Sequence, residues 1–310
     1  MKVVKLYPQG YCKGVYNAIK IALQTRKDYP DDNIYILGLI IHNKLIKEEL
    51  DKLNIISLYS KDKSRLELLD FINSGIIILT AHGTDLNLIE KIKSKNLKYI
   101  DTTCTFVKST HKIIEDELKN DHEVIYIGIH NHPEATAALS INNNKIHLVE
   151  NDDDISKLVI HDNSPLITNQ TTLSLNQIKD ISLKIKEKYP DVRFSNEQCS
   201  ATRLRQDAII NIKEDYDLIL VVGDLLSNNS KQLVKLAKNK CEAHLIETLD
   251  DLDVNWLKNK EYVAITSGAS TPSAIVDQIY NWLINFDINN AITYNKPTYK
   301  ELDILKEFNI

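Results

Sequence analysis

The chain has few residues of the kinds that mark secreted, membrane-spanning or disordered proteins. Its 310 residues include only eight glycines, seven prolines and four cysteines, and the cysteines are widely spaced. In a reducing compartment such cysteines argue against a disulfide framework and leave metal binding, catalysis or core packing. No segment approaches the roughly eighteen consecutive apolar residues of a membrane span, and the amino terminus has no signal-peptide-like apolar run. We therefore expect a cytoplasmic protein without membrane contact.

The chain also lacks an excess of positive charge. Its formal net charge is −5, so its composition gives no support for nucleic-acid binding. A hydrophobic content of 43% and a charged content of 26% are typical of a soluble globular protein. At this length we expect two or three domains.

One pattern occurs three times along the chain. A cysteine stands at the start of a helical pattern at Cys12, Cys104 and Cys199, at intervals of 92 and 95 residues. Each cysteine is followed by a predicted helix, a strand with a polar end, and a second strand with a polar end. A repeat of about ninety residues is too long for a solenoid unit, and each copy is large enough to form a small α/β layer.

Apolar strands and amphipathic helices alternate throughout, which predicts mostly parallel sheets with helices on both faces. We therefore predict an α/β protein of three pseudo-threefold-related units. Ligands of such sheets gather at the carboxyl ends of the strands, where the polar clusters stand. The predicted segments are an N-terminal strand with the first cysteine (residues 1–13), three α/β units (residues 14–103, 104–196 and 197–288) and a C-terminal tail (residues 289–310).

The three repeated cysteines predict a metal centre. A zinc site usually shows a close pair of cysteines, which is absent here. Three thiolates directed at one centre suit an iron–sulfur cluster in which one iron lacks a protein ligand. Such an iron has an open position for substrate. We assign Cys241, which lies outside the repeat, to structure.

Polar side chains at the strand ends predict an anion site. Histidines and small polar residues at these ends form a set of donors without Lys or Arg, which can hold a phosphate or diphosphate with the help of helix N-termini. Its predicted members are His42, His82, His132, Thr171, Ser227, Asn229 and Ser270. Glu134 is a lone carboxylate within this set and is suited to delivering protons.

These residues lie in motifs that resemble the 4-hydroxy-3-methylbut-2-enyl diphosphate reductase family. The motifs surround the three cysteines, the histidines at 42, 82 and 132, and the segment Gln170 to Ser174, and they span residues 1–285 in the family's order. The resemblance implies three α/β units around one 4Fe–4S cluster per chain, held by three cysteines. It also implies reductive removal of the allylic hydroxyl of the substrate, giving isopentenyl and dimethylallyl diphosphates in the last step of the non-mevalonate isoprenoid pathway.

Roles for single residues follow from the same resemblance. It implies cluster ligation by Cys12, Cys104 and Cys199, and catalytic roles for Glu134, Thr171 and His132, with Thr171 holding the substrate hydroxyl. It further implies diphosphate or substrate contacts from His42, His82, His132, Thr171, Ser227, Asn228, Asn229 and Ser270. The expected partners are a small allylic diphosphate and reduced ferredoxin or flavodoxin as electron donor, and the expected state is a monomer or weak dimer.

The chain departs from the family's pattern at several positions. Asn131 and residues 135–140 replace glycine-rich sequence, Asn228 replaces a serine, and Asp224 opens a less polar segment. Loss of glycine predicts a stiffer loop near the substrate. Three alternatives therefore stay open at this point: a divergent cluster-bearing reductase of another small phosphorylated substrate, a non-enzymatic iron–sulfur redox sensor, and a zinc hydrolase.

Overall fold

The computed structural model describes residues 1–60, 62–195, 199–213 and 215–308. It divides into two compact units. Unit 1 comprises Met1–Tyr16, His42–Glu49 and Ser200–Ile310, and unit 2 comprises Asn17–Ile41 and Leu50–Cys199. The predicted boundaries of five segments stay a prediction.

The secondary structure alternates between short strands and helices, as the sequence predicts. The strands formed by the described residues are β1 (Lys2–Lys5), β2 (Ile34–Leu37), β3 (Ile55–Leu58), β4 (Ile76–Leu79), β5 (Lys98–Asp101), β6 (Val124–Ile127), β7 (Ile146–Val149), β8 (Leu166–Asn169), β9 (Arg193–Phe194), β10 (Leu218–Val222), β11 (Glu242–Ile246) and β12 (Tyr262–Ser267). The α-helices are α1 (Lys13–Asp28), α2 (Lys44–Lys52), α3 (Arg65–Asp70), α4 (Leu86–Ser94), α5 (Thr105–Lys119), α6 (Pro133–Leu139), α7 (Asp152–Lys157), α8 (Leu175–Lys188), α9 (Ser200–Ile210), α10 (Asn228–Lys238) and α11 (Ser273–Asn285).

The strands form three four-stranded sheets, and every pair of neighbouring strands is parallel. Unit 2 holds the sheets β3-β2-β4-β5 and β7-β6-β8-β9, and unit 1 holds β11-β10-β12-β1. The order is the same in all three, because β1 takes the edge position in the third sheet that β5 and β9 take in the others. The predicted fold class of three α/β units with parallel sheets is confirmed.

This strand order explains the spacing of the cysteines. Each follows the edge strand that is fourth in its sheet: Cys12 follows β1, Cys104 follows β5 and Cys199 follows β9. The third repeat is therefore completed by the first strand of the chain, so the repeat is circularly permuted with respect to the sequence.

Apolar strand residues form the cores. Ile, Val and Leu side chains of β2 and β4, of β6 and β8, and of β10 and β12 are buried, as expected for parallel strands covered on both faces. The helices begin at capping residues; Ser64 and Glu67 form a capping box at α3, and Ser174 caps α8. These side chains accept hydrogen bonds from backbone amides in the first turns of the two helices.

Two elements differ from their predicted form. The apolar run of residues 34–41 predicts one strand, whereas β2 ends at Leu37, because Gly38 takes a φ of 103° and turns the chain. Residues 300–308 predict a short helix, whereas the structure has two 3₁₀ turns there, Tyr299–Glu301 and Lys306–Phe308.

Candidate functional site

Glu134 is a buried carboxyl group of unit 2. It is 1% exposed and lies in the first turn of α6, which begins with Pro133 after the N-cap His132. Thr171 donates to both of its oxygens: the Thr171 amide to Oε1 at 2.8 Å and the Thr171 hydroxyl to Oε2 at 2.9 Å. The Tyr126 hydroxyl donates to Oε1 at 3.4 Å. Since β6 and β8 are neighbours with Ile127 opposite Asn169, the sheet register brings the two loops together.

Burial changes the acidity of this group. It raises the pKa of Glu134 from 4.5 to about 7, against the opposing effect of the hydrogen bonds from Thr171 and Tyr126. A carboxyl group with such a pKa is partly protonated at neutral pH and can deliver a proton there.

His132 and His82 lie near this acid in unit 2. The amide of Glu134 donates to Nδ1 of His132 at 3.2 Å, so in the neutral ring the proton lies on Nε2. The rings of His82 and His132 meet edge to face, with centroids 5.8 Å apart. His82 precedes Gly83, whose φ of 88° lets the backbone approach Ala137 and His111 closely. This places two of the predicted diphosphate ligands beside the predicted proton donor.

Cys104 and Cys199 belong to unit 2, and each lies directly before a helix. Cys104 is the N-cap of α5, and its amide donates to the Ala81 carbonyl at 3.0 Å. Cys199 immediately precedes α9, and both thiols are half-buried and outside any disulfide. Residues 196–198, which include the predicted end of the second α/β unit, lie outside the described residues. Amide groups at a helix start favour the thiolate form that binds metals.

Cys12 takes the corresponding place in unit 1, directly before α1. Its amide donates to the Ala269 carbonyl at 2.9 Å, and its Sγ lies 3.5 Å from the amide of Val15. The turn before it is held by Arg205, which is 2% exposed and donates from Nη2 to the Gly10 carbonyl at 2.6 Å and from Nε to Ser267 O at 3.2 Å. The end of β12 therefore supports the cysteine loop.

His42 and Ser270 of the predicted anion site lie together in unit 1. The Ser270 hydroxyl donates to the His42 carbonyl at 3.1 Å, and Nδ2 of the Asn43 side chain donates to the Ser270 carbonyl at 2.8 Å. Asn43 Oδ1 also accepts from the Ile46 amide at 3.1 Å and so anchors the start of α2. The loops after β2 and β12 are thereby tied to each other.

The loop after β10 carries the remaining members of the predicted site. Ser227 is the N-cap of α10 and accepts from the Ser230 amide at 3.3 Å, and Asn228 is the first helical residue. Asn229 is 4% exposed, and neither polar atom of its side-chain amide has a hydrogen-bond partner among the described residues. Buried polar groups are normally paired. An unpaired amide in the first turn of an eleven-residue helix is therefore suited to an anionic ligand.

A buried carboxylate, that of Asp224, anchors the loop after β10. Asp224 is 5% exposed, and its Oδ2 accepts from the Lys44 amide at 2.7 Å while its Oδ1 accepts from the Leu226 amide at 2.6 Å. It thus joins the loop of Ser227 to the segment of His42 within unit 1.

The thiols fit the predicted iron–sulfur group by their chemistry. Three half-buried cysteine thiols outside any disulfide, each at the start of a helix, are the donors that iron–sulfur clusters use. No group of three or more His, Cys, Asp or Glu side chains within the described ranges is arranged to hold a single metal ion. No helix among the described residues has the length and apolarity needed to cross a membrane.

Sequence reasoning missed five residues that shape the site. Tyr126 lies in an apolar strand, and Asp224 acts through backbone groups that no local pattern indicates. Asn43, Gln170 and Arg205 stand inside motifs of the family resemblance, which assigns them no role. Gln170 is fully buried, accepts from the Ile129 amide at 3.0 Å and donates to the Thr172 hydroxyl at 2.9 Å.

Three parallel sheets of one strand order, a cysteine after the fourth strand of each sheet and a buried acid define a triply repeated α/β protein. Comparison with known proteins gives the family. The model of the family described as "LytB protein" matches residues 3–284. The chain belongs to the LytB protein family.

Two relatives among the curated proteins carry the same name. The chain is 40% identical over 296 residues to the 4-hydroxy-3-methylbut-2-enyl diphosphate reductase of Malacoplasma penetrans, covering 93% of this chain and 96% of that one. The enzyme of the same name from Geobacillus kaustophilus is 40% identical over 299 residues, covering 96% and 94%. The predicted family is confirmed.

Two solved structures of reductases are similar to this chain. The E-1-hydroxy-2-methyl-but-2-enyl-4-diphosphate reductase from Plasmodium falciparum superposes with a TM-score of 0.84 at 31% identity, covering 99% of this chain and 96% of that one. A second solved reductase, described as the terminal enzyme of the non-mevalonate pathway, gives a TM-score of 0.64 at 27% identity, with coverage of 92% and 100%.

Proposed function

We propose that the chain reduces 4-hydroxy-3-methylbut-2-enyl diphosphate to isopentenyl and dimethylallyl diphosphates, the last step of the non-mevalonate isoprenoid pathway. Membership of the LytB protein family and the names of its relatives support this assignment. The observation that carries it within the molecule is Glu134, a buried acid with a pKa of about 7 held by Thr171.

The cofactor of this proposal is one 4Fe–4S cluster per chain, held by Cys12, Cys104 and Cys199. When bound, it supplies electrons and an iron with an open position for the substrate oxygen. The support is the donor set: each of these cysteines is half-buried, free of disulfides and located at the start of a helix.

The proton chemistry belongs to Glu134. The reaction breaks the allylic C–O bond, consumes two electrons and two protons, and gives water and a new C–H bond. In this proposal Glu134 delivers protons, the Thr171 hydroxyl holds the substrate hydroxyl and relays them, and His132 lies beside the acid as a further donor. A partly protonated carboxyl group near neutral pH suits this task, because it can give a proton and regain it from solvent.

The diphosphate is the anion for which the polar strand ends are suited. We assign its binding to the donors that the family resemblance implies, which are His42, His82, His132, Ser227, Asn228, Asn229 and Ser270. The unpaired side-chain amide of Asn229 at the start of α10 is the feature that supports this assignment most directly.

The test is anaerobic oxidation of reduced viologen by the reconstituted protein after addition of the substrate, with iron and sulfide counted on the same sample. Glu134→Gln should keep the cluster and lower turnover by roughly 10²- to 10⁴-fold. Glu187→Gln makes the same chemical change on the exposed face of α8 and should leave turnover unchanged. A full cluster without turnover in the unaltered chain would refute the proposed reaction.

The reduced ferredoxin or flavodoxin donor, the monomer or weak dimer and the cytoplasmic location belong to the same proposal. Each stays a prediction.

A further inference from the structure

The C-terminal segment after α11 packs against α11 at several points. Trp282 donates from Nε1 to the Asn295 carbonyl at 3.0 Å, and Gln278 donates from Nε2 to the Thr298 carbonyl at 3.0 Å. Ile304 and Phe308 are buried at its end. We keep the name tail for the described part of the predicted C-terminal tail, residues 289–308.

The end of the tail reaches the loop that carries Cys12. The Phe308 ring stacks on Tyr16 with centroids 4.8 Å apart and an interplanar angle of 20°, and it lies against Tyr11 at 5.6 Å. These two tyrosines flank Cys12 in the sequence. One aromatic ring therefore contacts the chain on both sides of the cysteine.

Glu307, the residue before Phe308, makes a second contact between the tail and unit 1. Glu307 Oε1 accepts from the amide and the hydroxyl of Ser273, the first residue of α11. The Ser273 Cβ lies 3.6 Å from the position that a Cβ on Gly10 would occupy, so it packs directly on the turn before the cysteine.

Cys12 needs such support more than Cys104 does. Cys104 is the N-cap of a fifteen-residue helix and lies three residues beyond the end of β5 at Asp101. Cys12 lies seven residues beyond the end of β1 at Lys5, and the chain between them is irregular. An irregular loop opens locally at low cost unless packing holds it.

We propose that the tail is a brace in which Phe308 and Glu307 position the Cys12 loop and limit access to its thiol. They are positioning residues and touch no reacting atom. The inference rests on the proposed function only in treating Cys12 as a cluster ligand.

The test is alkylation of the full-length, cluster-free chain by iodoacetamide, followed by peptide mapping of all four cysteines. In Phe308→Ala the rate at Cys12 should rise roughly tenfold, which corresponds to about 1.4 kcal/mol. The rates at Cys104, Cys199 and Cys241 should stay unchanged and serve as internal references. Phe308→Tyr keeps the ring and should restore the slow rate.

Controls separate a brace from general stability. Ile292→Ala alters a tail side chain that is 84% exposed and should change no rate. Phe308→Leu keeps apolar volume without stacking and should give an intermediate rise at Cys12, even where Phe308→Ala folds poorly. An unchanged rate at Cys12 in both Phe308→Ala and Phe308→Leu, or an equal rise at Cys104 and Cys199, would overturn the brace.

A second readout uses the reconstituted protein. Iron should be lost to a chelator several-fold faster from Phe308→Ala than from the unaltered chain. If the unaltered chain takes up no iron, the proposed cofactor fails, whereas the alkylation result still decides on the brace.

Discussion

Thr171 holds both oxygens of Glu134, with its amide 2.8 Å from Oε1 and its hydroxyl 2.9 Å from Oε2. A single residue therefore fixes the plane of the carboxyl group. The two hydrogen bonds favour the ionised form while burial favours the protonated form, and burial is the larger effect. Thr171 thus orients the carboxyl group, while burial determines that the pKa of Glu134 is raised.

The raised pKa of Glu134 predicts a stability difference that depends on pH. Between pH 4.5 and about 7 the folded chain binds more protons at this group than the unfolded chain, so its contribution to the free energy of unfolding falls as pH rises. Glu134→Gln removes this pH-dependent decrease in the free energy of unfolding. Relative to the unaltered protein, the variant should gain roughly 3 kcal/mol between pH 4.5 and pH 8.5, measured by urea unfolding.

The matched control is Glu187→Gln, which removes an exposed carboxylate of α8. Its stability relative to the unaltered chain should not vary over the same range. A Glu134→Gln difference that is constant with pH would show that this carboxyl group titrates normally.

Thr171→Val tests the hydrogen bond from the Thr171 hydroxyl to Glu134, which lowers the pKa of Glu134 and so opposes the effect of burial. The variant loses the hydroxyl that favours the ionised form, so the pKa of Glu134 should rise above 7. Because turnover in the proposed reaction needs the protonated acid, the limb on which the rate falls with rising pH should move to higher pH. The residual viologen oxidation of the variant, measured from pH 6 to 10, gives this limb.

Thr171→Ser keeps the hydroxyl and should keep the limb in place. Tyr126→Phe removes a longer contact of 3.4 Å and should give a smaller shift in the same direction. Movement of the Thr171→Val limb to lower pH would contradict the assignment of the hydrogen bond.

The sequence predicted the parts of the site that follow directly from strand order. Cys104 and Thr171 lie three and two residues beyond strand ends, Glu134 lies seven residues beyond one, and in a parallel sheet these ends share one edge. The repeat predicted three sheets but gave no reason to assign β1 to the third. Its pairing with β12 is a contact between distant parts of the chain, which local patterns do not report.

The loop near His132 keeps a tight turn although its glycine is replaced. Asn131 takes a φ of 61°, which asparagine adopts more readily than most residues. Residues 135–139 complete α6, and the small side chains of Ala135 and Ala138 are fully buried. The stiffer loop stays a prediction.

Asp224 predicts a stability effect that the family's motifs do not suggest. Both of its oxygens accept backbone amides, so Asp224→Asn leaves one buried donor facing an NH₂ group. The free energy of unfolding should fall by about 1–3 kcal/mol, measured by urea unfolding.

Glu247→Gln is the matched control for this change. Glu247 accepts the Leu225 amide at 3.0 Å through one oxygen, which the glutamine side chain keeps. Its effect should stay within about 0.5 kcal/mol. Equal losses in the two variants would show that Asp224 does not depend on accepting two donors.

The variant Asn229→Asp tests whether Asn229 contacts the diphosphate of the proposed substrate. Asn229→Asp replaces an unpaired buried amide with a carboxylate at the start of α10, where the proposed substrate carries its negative charge. Repulsion between these charges should raise KM by at least roughly tenfold. The effect on kcat should be smaller, because the diphosphate stays distant from the bond that breaks and contributes uniform binding.

Asn239→Asp adds the same charge at the other end of the helix, where Asn239 is the exposed C-cap. Screening at physiological salt should leave its KM within about twofold of the unaltered chain. The comparison separates local repulsion from the change in net charge, because both variants carry one extra negative charge. Equal increases in KM would mean that Asn229 does not contact the diphosphate, and the binding role would then pass to the other donors of unit 1.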